Sequence, residues 1–218
     1  MAVRPDSAPI VVLLHGLWMG RWQLELLARR LRSRGFVVKP FAYASITERF
    51  GANLKKLLRF VLAQPGGGDV HLVGHSLGGV LAARLLIAHH DRLPPGKLVA
   101  LGSPLNGAAL ATRLRRLKLA TVVLGFADGV LTDPGIAPWT TPRAFGVIAG
   151  RTPIGASLLF GGLTRPHDGT VTVAETQIAG LTDHVVIGAS HTSLVFSAEA
   201  ADLTARFLRS GRFAAAGG

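Results

Sequence analysis

The stretch Asp69-Val70-His71-Leu72-Val73-Gly74-His75-Ser76-Leu77-Gly78-Gly79-Val80 decides how this chain is read. Val70–Val73 is a short apolar run of strand character, and a helical pattern, Val80-Leu81-Ala82-Ala83-Arg84-Leu85-Leu86, starts directly after it. Between them Gly74-His75-Ser76-Leu77-Gly78 fits the pattern G-x-S-x-G. With 27 Gly in 218 residues the bare pattern means little, and its plain alternative is a glycine-rich turn with an incidental serine. Its position between a strand and a helix gives it weight. A turn this sharp strains the backbone of its serine, and glycine is needed at 74 and 78, where a Cβ would collide with neighbouring backbone. Ser76 then stands at the edge of a sheet, in front of a helix N-terminus that favours developing negative charge.

Outward from that turn, strands and helices alternate. Pro9–Leu14 reads as a buried strand ending in His15-Gly16-Leu17-Trp18, with a helix following through about Arg34. Phe36–Pro40 is the next strand, and Ser45-Ile46-Thr47-Glu48 has the form of a capping box opening a helix to about Gln64. Pro65–Gly68 is a turn. Lys97–Leu101, Ala144–Ala149 and Asp183–Ile187 complete the strands, and Ala198–Arg209 the helices. This alternation predicts an α/β fold: a mostly parallel sheet with helices on both faces, as one domain over residues 1–218. Leu105–Pro142 breaks the rhythm, placing nearly 40 residues where a crossover of about a dozen would do. It is expected to be a lid or cap insertion forming one wall of a substrate pocket, the plainer reading being a crossover helix with a long loop.

Composition bounds the partners. The chain is 49% hydrophobic and 17% charged, which is globular, and no apolar run reaches the ~18 residues of a membrane span. It has no cysteine, which excludes disulfides and thiol catalysis. Met1–Pro9 does not read as a signal peptide, so a cytoplasmic location is expected. The net charge of +12 attracts anions, yet no basic stripe interleaves with aromatics, and nucleic acid is not an expected partner. Arg113, Arg115, Arg116 and Lys118 form one dense basic cluster within the insertion, suited to peripheral contact with an anionic membrane.

A serine hydroxyl needs a base, and the base an acid to orient it. After Ser76, His89 and His90 fall at the tail of a helix and His184 inside the last strand. His191 follows that strand's carboxyl end and is the candidate base. Asp168, in Pro166-His167-Asp168-Gly169-Thr170-Val171, is the candidate acid, with His167 expected to be a pocket-rim or hydrogen-bonding residue. Asp128 and Asp133 are the alternatives, in the insertion. The oxyanion donors are expected to be the N–H of Leu77, after the nucleophile, and of Leu17, with Trp18 N–H as the fallback. Trp18 and His75 are the candidate substrate-binding residues. His89-His90-Asp91 lacks ligand spacing and H-E-x-x-H is absent, so neither metal nor cofactor is expected.

On these residues the chain resembles the bacterial lipases and esterases of the α/β-hydrolase superfamily. The marks are His15-Gly16, Gly74–Gly79, Gly102-Ser103-Pro104-Leu105-Asn106-Gly107, Asp168-Gly169-Thr170-Val171 and His191, spread over nearly the whole length. The resemblance implies an α/β-hydrolase fold and a Ser76-Asp168-His191 triad acting through an acyl-enzyme on a small-molecule ester or lipid substrate. An acyltransferase or thioesterase using the same triad is the alternative. A catalytically silent binding module is a third reading, against which the complete residue set argues.

Overall fold

Six short apolar segments pair into one sheet. The computed structural model describes residues 8–65, 68–133 and 135–214. Strands β1 (Ile10–Leu14), β2 (Val37–Phe41), β3 (Val70–His75), β4 (Leu98–Leu101), β5 (Phe145–Gly150) and β6 (Asp183–Ile187) lie in the order β2-β1-β3-β4-β5-β6. All neighbouring pairs are parallel. The helices are α1 (Glu25–Ser33), α2 (Phe50–Leu62), α3 (Leu77–His89), α4 (Ala109–Arg116), α5 (Ala120–Leu124), α6 (Asp128–Thr132), α7 (Ser157–Phe160) and α8 (Ala198–Ser210). Among the described residues no helix is long and apolar enough to cross a membrane.

Alternation along each strand builds two cores at once. From β1, Val12 and Leu14 enter one core while Val11 and Leu13 enter the other; β4 divides Leu98 and Ala100 from Val99 and Leu101 in the same way. The first core is closed by Leu57 and Val61 of α2 with Leu81 and Leu85 of α3, the second by Leu27 and Leu31 of α1 with Phe207 of α8. Helix α3 is apolar on almost every side because it is buried on almost every side, which is the expected composition of such a helix. Pro40 is tolerated in β2 because that strand lies at the sheet's edge.

The turn from β3 into α3 brings three backbones into contact. A Cβ built on Gly74 would lie 2.4 Å from the Gly78 carbonyl carbon and the Gly79 nitrogen; one on Gly78 would lie 2.5 Å from the His15 oxygen. Ser76 sits between them at φ 53°, ψ −122°, outside the conformations that L residues ordinarily adopt.

Residues 105–142 fold into α4, α5 and α6 and pack through Leu110, Leu114, Leu124 and Leu131 onto Leu77, at the start of α3. A second long connection, between β5 and β6, carries α7 and the loop of Asp168. The capping box expected at Ser45 does not form. Helix α2 starts at Phe50 with Arg49 at its N-cap and no side-chain cap. Ser45–Glu48 is instead a turn whose Ile46 carbonyl accepts from Phe126 N (3.0 Å), and Glu48 pairs with Lys56 (2.7 Å). The turn expected at Pro65–Gly68 includes residues 66 and 67, outside the described residues, as are Met1–Ser7.

The backbone contacts at position 74 predict that Gly74→Ala lowers unfolding stability by about 3 kcal/mol or more, since no side chain is available to move aside. Gly51→Ala, on the open first turn of α2 with nothing within 4 Å of the added carbon, is expected to raise it by up to about 1 kcal/mol. Paired denaturant titrations read both.

Candidate active site

At the carboxyl ends of β3, β5 and β6 three chain segments meet. Ser76 stands at the N-terminus of α3, and His191 follows β6 after a three-residue turn, Gly188–Ser190. Asp168 lies in the β5–β6 connection, 1% exposed. Its Oδ2 accepts from His191 Nδ1 at 2.7 Å, and its Oδ1 accepts from the amides of Thr170 (2.9 Å) and Val171 (2.7 Å). Its carbonyl also accepts from His191 N at 2.8 Å. The carboxylate is therefore satisfied on both oxygens, and its loop is fixed to the backbone of the histidine it faces. A carboxylate only accepts, so His191 donates from Nδ1 and keeps the lone pair on Nε2.

Local sequence makes room for this pair. Gly102, at the end of β4 with φ +54°, leaves a gap that a Cβ would fill: it would lie 3.0 Å from Asp168 Oδ2 and 3.2 Å from His191 Nδ1. The other candidate acids are engaged elsewhere. Asp128 pairs with Arg115 and Asp133 with Arg84, each at 2.9 Å. His167 is buried inside the loop, where its Nδ1 accepts from Gly169 N (3.0 Å).

Ser76 and His191 line one cavity of about 420 Å³, together with Leu17, Trp18, His75 and Leu77. Asp168 lies behind His191, away from the cavity. The wall facing the serine is apolar: Leu110, Leu114, Leu124 and Leu131 come from segment 105–142, and Ala156, Phe160 and Val171 from the β5–β6 connection. That second source of wall was not legible in sequence. The amides of Leu17, Trp18 and Leu77 meet no acceptor among the described residues. The loop presenting the first two is held from below by Tyr43, which stacks on His15 (4.3 Å between centroids) and donates its hydroxyl to the His15 carbonyl (2.7 Å). From above, Trp18, itself at φ 57°, donates its indole N–H to the Val123 carbonyl in α5 (2.6 Å).

Glu175 was also missed. Its buried carboxylate accepts from Ala109 N (2.5 Å) at the start of α4 and from Thr172 N (2.7 Å), and its carbonyl accepts from Asn106 N (2.9 Å). It thus ties the loop of Asp168 to the helices that roof the cavity. The only signal in sequence is that it is the one acidic residue besides Asp168 between Pro166 and Thr182. His75 is 1% exposed; its Nε2 lies 3.0 Å from the His191 carbonyl oxygen and its Nδ1 has no partner. Among the described residues no three His, Asp or Glu converge as a metal site.

The description "Alpha/beta hydrolase family" is that of the sequence-family model matching residues 11–214. No curated protein matches the chain by sequence. Among solved structures it is similar to the mature form of a Bacillus licheniformis lipase (TM-score 0.67, 21% identity, 88% of this chain and 89% of that one). It is also similar to a metagenomic carboxyl esterase (0.62, 16%, 84% and 64%) and a Legionella pneumophila phospholipase (0.66, 15%, 91% and 55%). At these identities the likeness is one of fold.

Burial leaves an electrostatic signature. It pushes the imidazole of His75 down to about 3, with the neighbouring His191 adding to the effect, and that of His71 down to about 4; it also lowers His15 and His184. In the folded chain these rings stay neutral, whereas in the unfolded chain they bind protons below about pH 6.5. The unfolded state then holds more protons, so stability is complete above that pH and is lost as pH falls toward 4. Thermal midpoints are expected to decline steadily from pH 7 to pH 5, before carboxylates titrate. A flat profile over that window contradicts the assignment.

Proposed function

From the premise that this chain belongs to the alpha/beta hydrolase family, we propose that it is a serine carboxylic ester hydrolase acting on short-to-medium-chain or lipid-like esters. The observation that carries the reading is the 2.7 Å pair of His191 Nδ1 and Asp168 Oδ2, whose histidine lines the cavity that the strained Ser76 also lines. In this reading His191 Nε2 takes the proton of Ser76 Oγ as that oxygen attacks the ester carbonyl. Asp168 holds the ring in the required tautomer and offsets the charge of the imidazolium. The carbonyl oxygen becomes an oxyanion facing the N–H groups of Leu77 and Leu17, beside the positive end of α3. Collapse breaks the ester bond, His191 gives its proton to the departing alkoxide, and water repeats the sequence to release the acid. The chain's own residues supply every group in this scheme.

The roof made by residues 105–142 acts as a cap that keeps the site dry, strengthening the oxyanion contacts. Its leucines suit an acyl chain. Contact with an anionic lipid surface is the second part of the proposal. Val122 (74% exposed), Leu158 (72%) and Leu159 (83%) stand beside the cavity-lining Val123 and Phe160, and Arg113, Arg116 and Lys118 are exposed on the same cap. Exposed apolar side chains together with exposed cations fit a negatively charged interface. The absence of cysteine supports a cytoplasmic site of action.

Ser76→Ala is expected to lower kcat on a p-nitrophenyl ester by about 10⁶ and to abolish labelling by a fluorophosphonate, with the unfolding midpoint preserved. Asp168→Asn is expected to cost about 10⁴. Asp128→Asn and Asp133→Asn are expected to stay within a few-fold of wild type. Labelling that survives in Ser76→Ala overturns the mechanism.

Each methylene buried against the cap contributes up to about 0.8 kcal/mol, so kcat/KM is expected to climb up to about fourfold per carbon from acetate toward butyrate and beyond. A flat chain-length series refutes the acyl pocket. Sedimentation with anionic vesicles is expected to weaken as salt rises, and salt-insensitive binding refutes the basic rim.

A further inference from the structure

We infer that His75 is a positioning residue for His191: its Nε2–H donates to the His191 backbone carbonyl and so fixes the segment that presents the base to Ser76. The inference rests on the serine-hydrolase reading above for its kinetic consequence, though not for its geometry.

Among the described residues three hydrogen bonds hold His191. Its amide donates to the Asp168 carbonyl at 2.8 Å, its Nδ1 donates to Asp168 Oδ2 at 2.7 Å, and its carbonyl lies 3.0 Å from His75 Nε2. The first two bind the residue to the acid's loop. The third alone ties it to the strand that ends in the nucleophile, since His75 is the last residue of β3 and Ser76 follows it in the chain. A loop anchored only to Asp168 would fix the acid–base pair but leave its distance from the serine to the packing of two connections. The contact with His75 sets that distance through hydrogen-bonded structure.

The chemistry of the contact is specific. A carbonyl oxygen only accepts, so Nε2 carries the proton and Nδ1 is a lone pair. That lone pair has no donor in the structure and is turned toward Gly16, where a Cβ would come within 3.0 Å of it. With 1% of its surface exposed, His75 has its one donor committed to protein and offers the cavity only part of its ring. The rings of His75 and His191 are 4.7 Å apart and tilted by 47°. The charged or titratable groups that act on His75 are His191, Asp168 and His15. Burial keeps His75 neutral, so the imidazolium that forms on His191 during the reaction does not meet a second cation. A lysine or arginine here would donate equally well to the carbonyl and would oppose the reaction.

The test compares three variants. His75→Phe keeps a ring and loses the donor, His75→Asn keeps an N–H too short to reach the carbonyl, and His75→Gln restores an amide N–H at comparable reach. On a short p-nitrophenyl ester, Phe and Asn are expected to lower kcat about three- to tenfold, the scale of one lost hydrogen bond, with KM held within about twofold, while Gln recovers most of the loss. The proton on His191 Nδ1, identified in the far-downfield NMR spectrum by its disappearance in Asp168→Asn, is expected to shift or broaden in Phe and Asn and to return in Gln. An unchanged signal and kcat in both Phe and Asn overturn the inference. A rise in KM at constant kcat also overturns it, by placing His75 in substrate binding; so does a Gln variant no better than Phe, which reduces the residue to packing. Should the wild-type chain neither cleave esters nor take a fluorophosphonate, the hydrolase reading fails by itself, and the NMR signal still decides the position of His191.

Discussion

The approach of α3 to β3 and β1 is the contact on which the site is built. Where Gly74 passes the Gly78–Gly79 peptide and Gly78 passes the His15 carbonyl, there is no volume left for even a methyl group. Such closeness has two consequences that cannot be separated. It presses Ser76 into a left-handed conformation, from which its side chain projects at the sheet's edge. It also brings the loop after β1 against the helix N-terminus, so that the free amides of Leu17 and Leu77 lie on the wall of one cavity. Ser76 and the amides of Leu17 and Leu77 are thus set by one packing event.

Around that rigid centre the polar and apolar parts of the site are held in different ways. Asp168, His191, Glu175 and His75 are located by hydrogen bonds, most of them to backbone, and all four are buried. The cavity itself is walled by leucines whose own cluster includes Leu77 and, partly, Leu17. Roof and anion donors therefore share one apolar core, reinforced by the Trp18–Val123 hydrogen bond. A displacement of α4–α6 would loosen the loop that carries Leu17, and Glu175 would carry the disturbance to the loop of Asp168. The apolar ceiling and the polar groups beneath it are thus mechanically joined.

Reading the sequence recovered what is encoded locally or by position along a strand. The turn at Ser76 is carried by consecutive residues, and the edges of the six strands fall within two residues of the apolar runs because both faces of a parallel sheet are buried. Asp168 and His191 are recognisable because they follow strands at the sheet's carboxyl edge. What sequence concealed depends on contacts made through space. Ser45 and Glu48 have the composition of a cap, yet the Ile46 carbonyl is drawn to Phe126, eighty residues away, and the helix starts later. Glu175 and the ring of His75 act through backbone groups of distant residues, which no side-chain pattern announces. The wall supplied by Ala156 and Phe160 lies in a connection whose composition resembles any surface loop.

The order of the segments along the chain has a consequence for biosynthesis. Ser76 is in place once β1, β3 and α3 have folded, but Asp168 and His191 lie on either side of β6, the last strand to emerge and an edge of the sheet. Long-range parallel pairing is slow to form, and domains assemble from their N-terminal parts as synthesis proceeds. During translation Ser76 therefore precedes His191 by more than a hundred residues, and the two come to line one cavity only when β6 has paired with β5. Pairing of the last strand and assembly of the pocket wall become the same event.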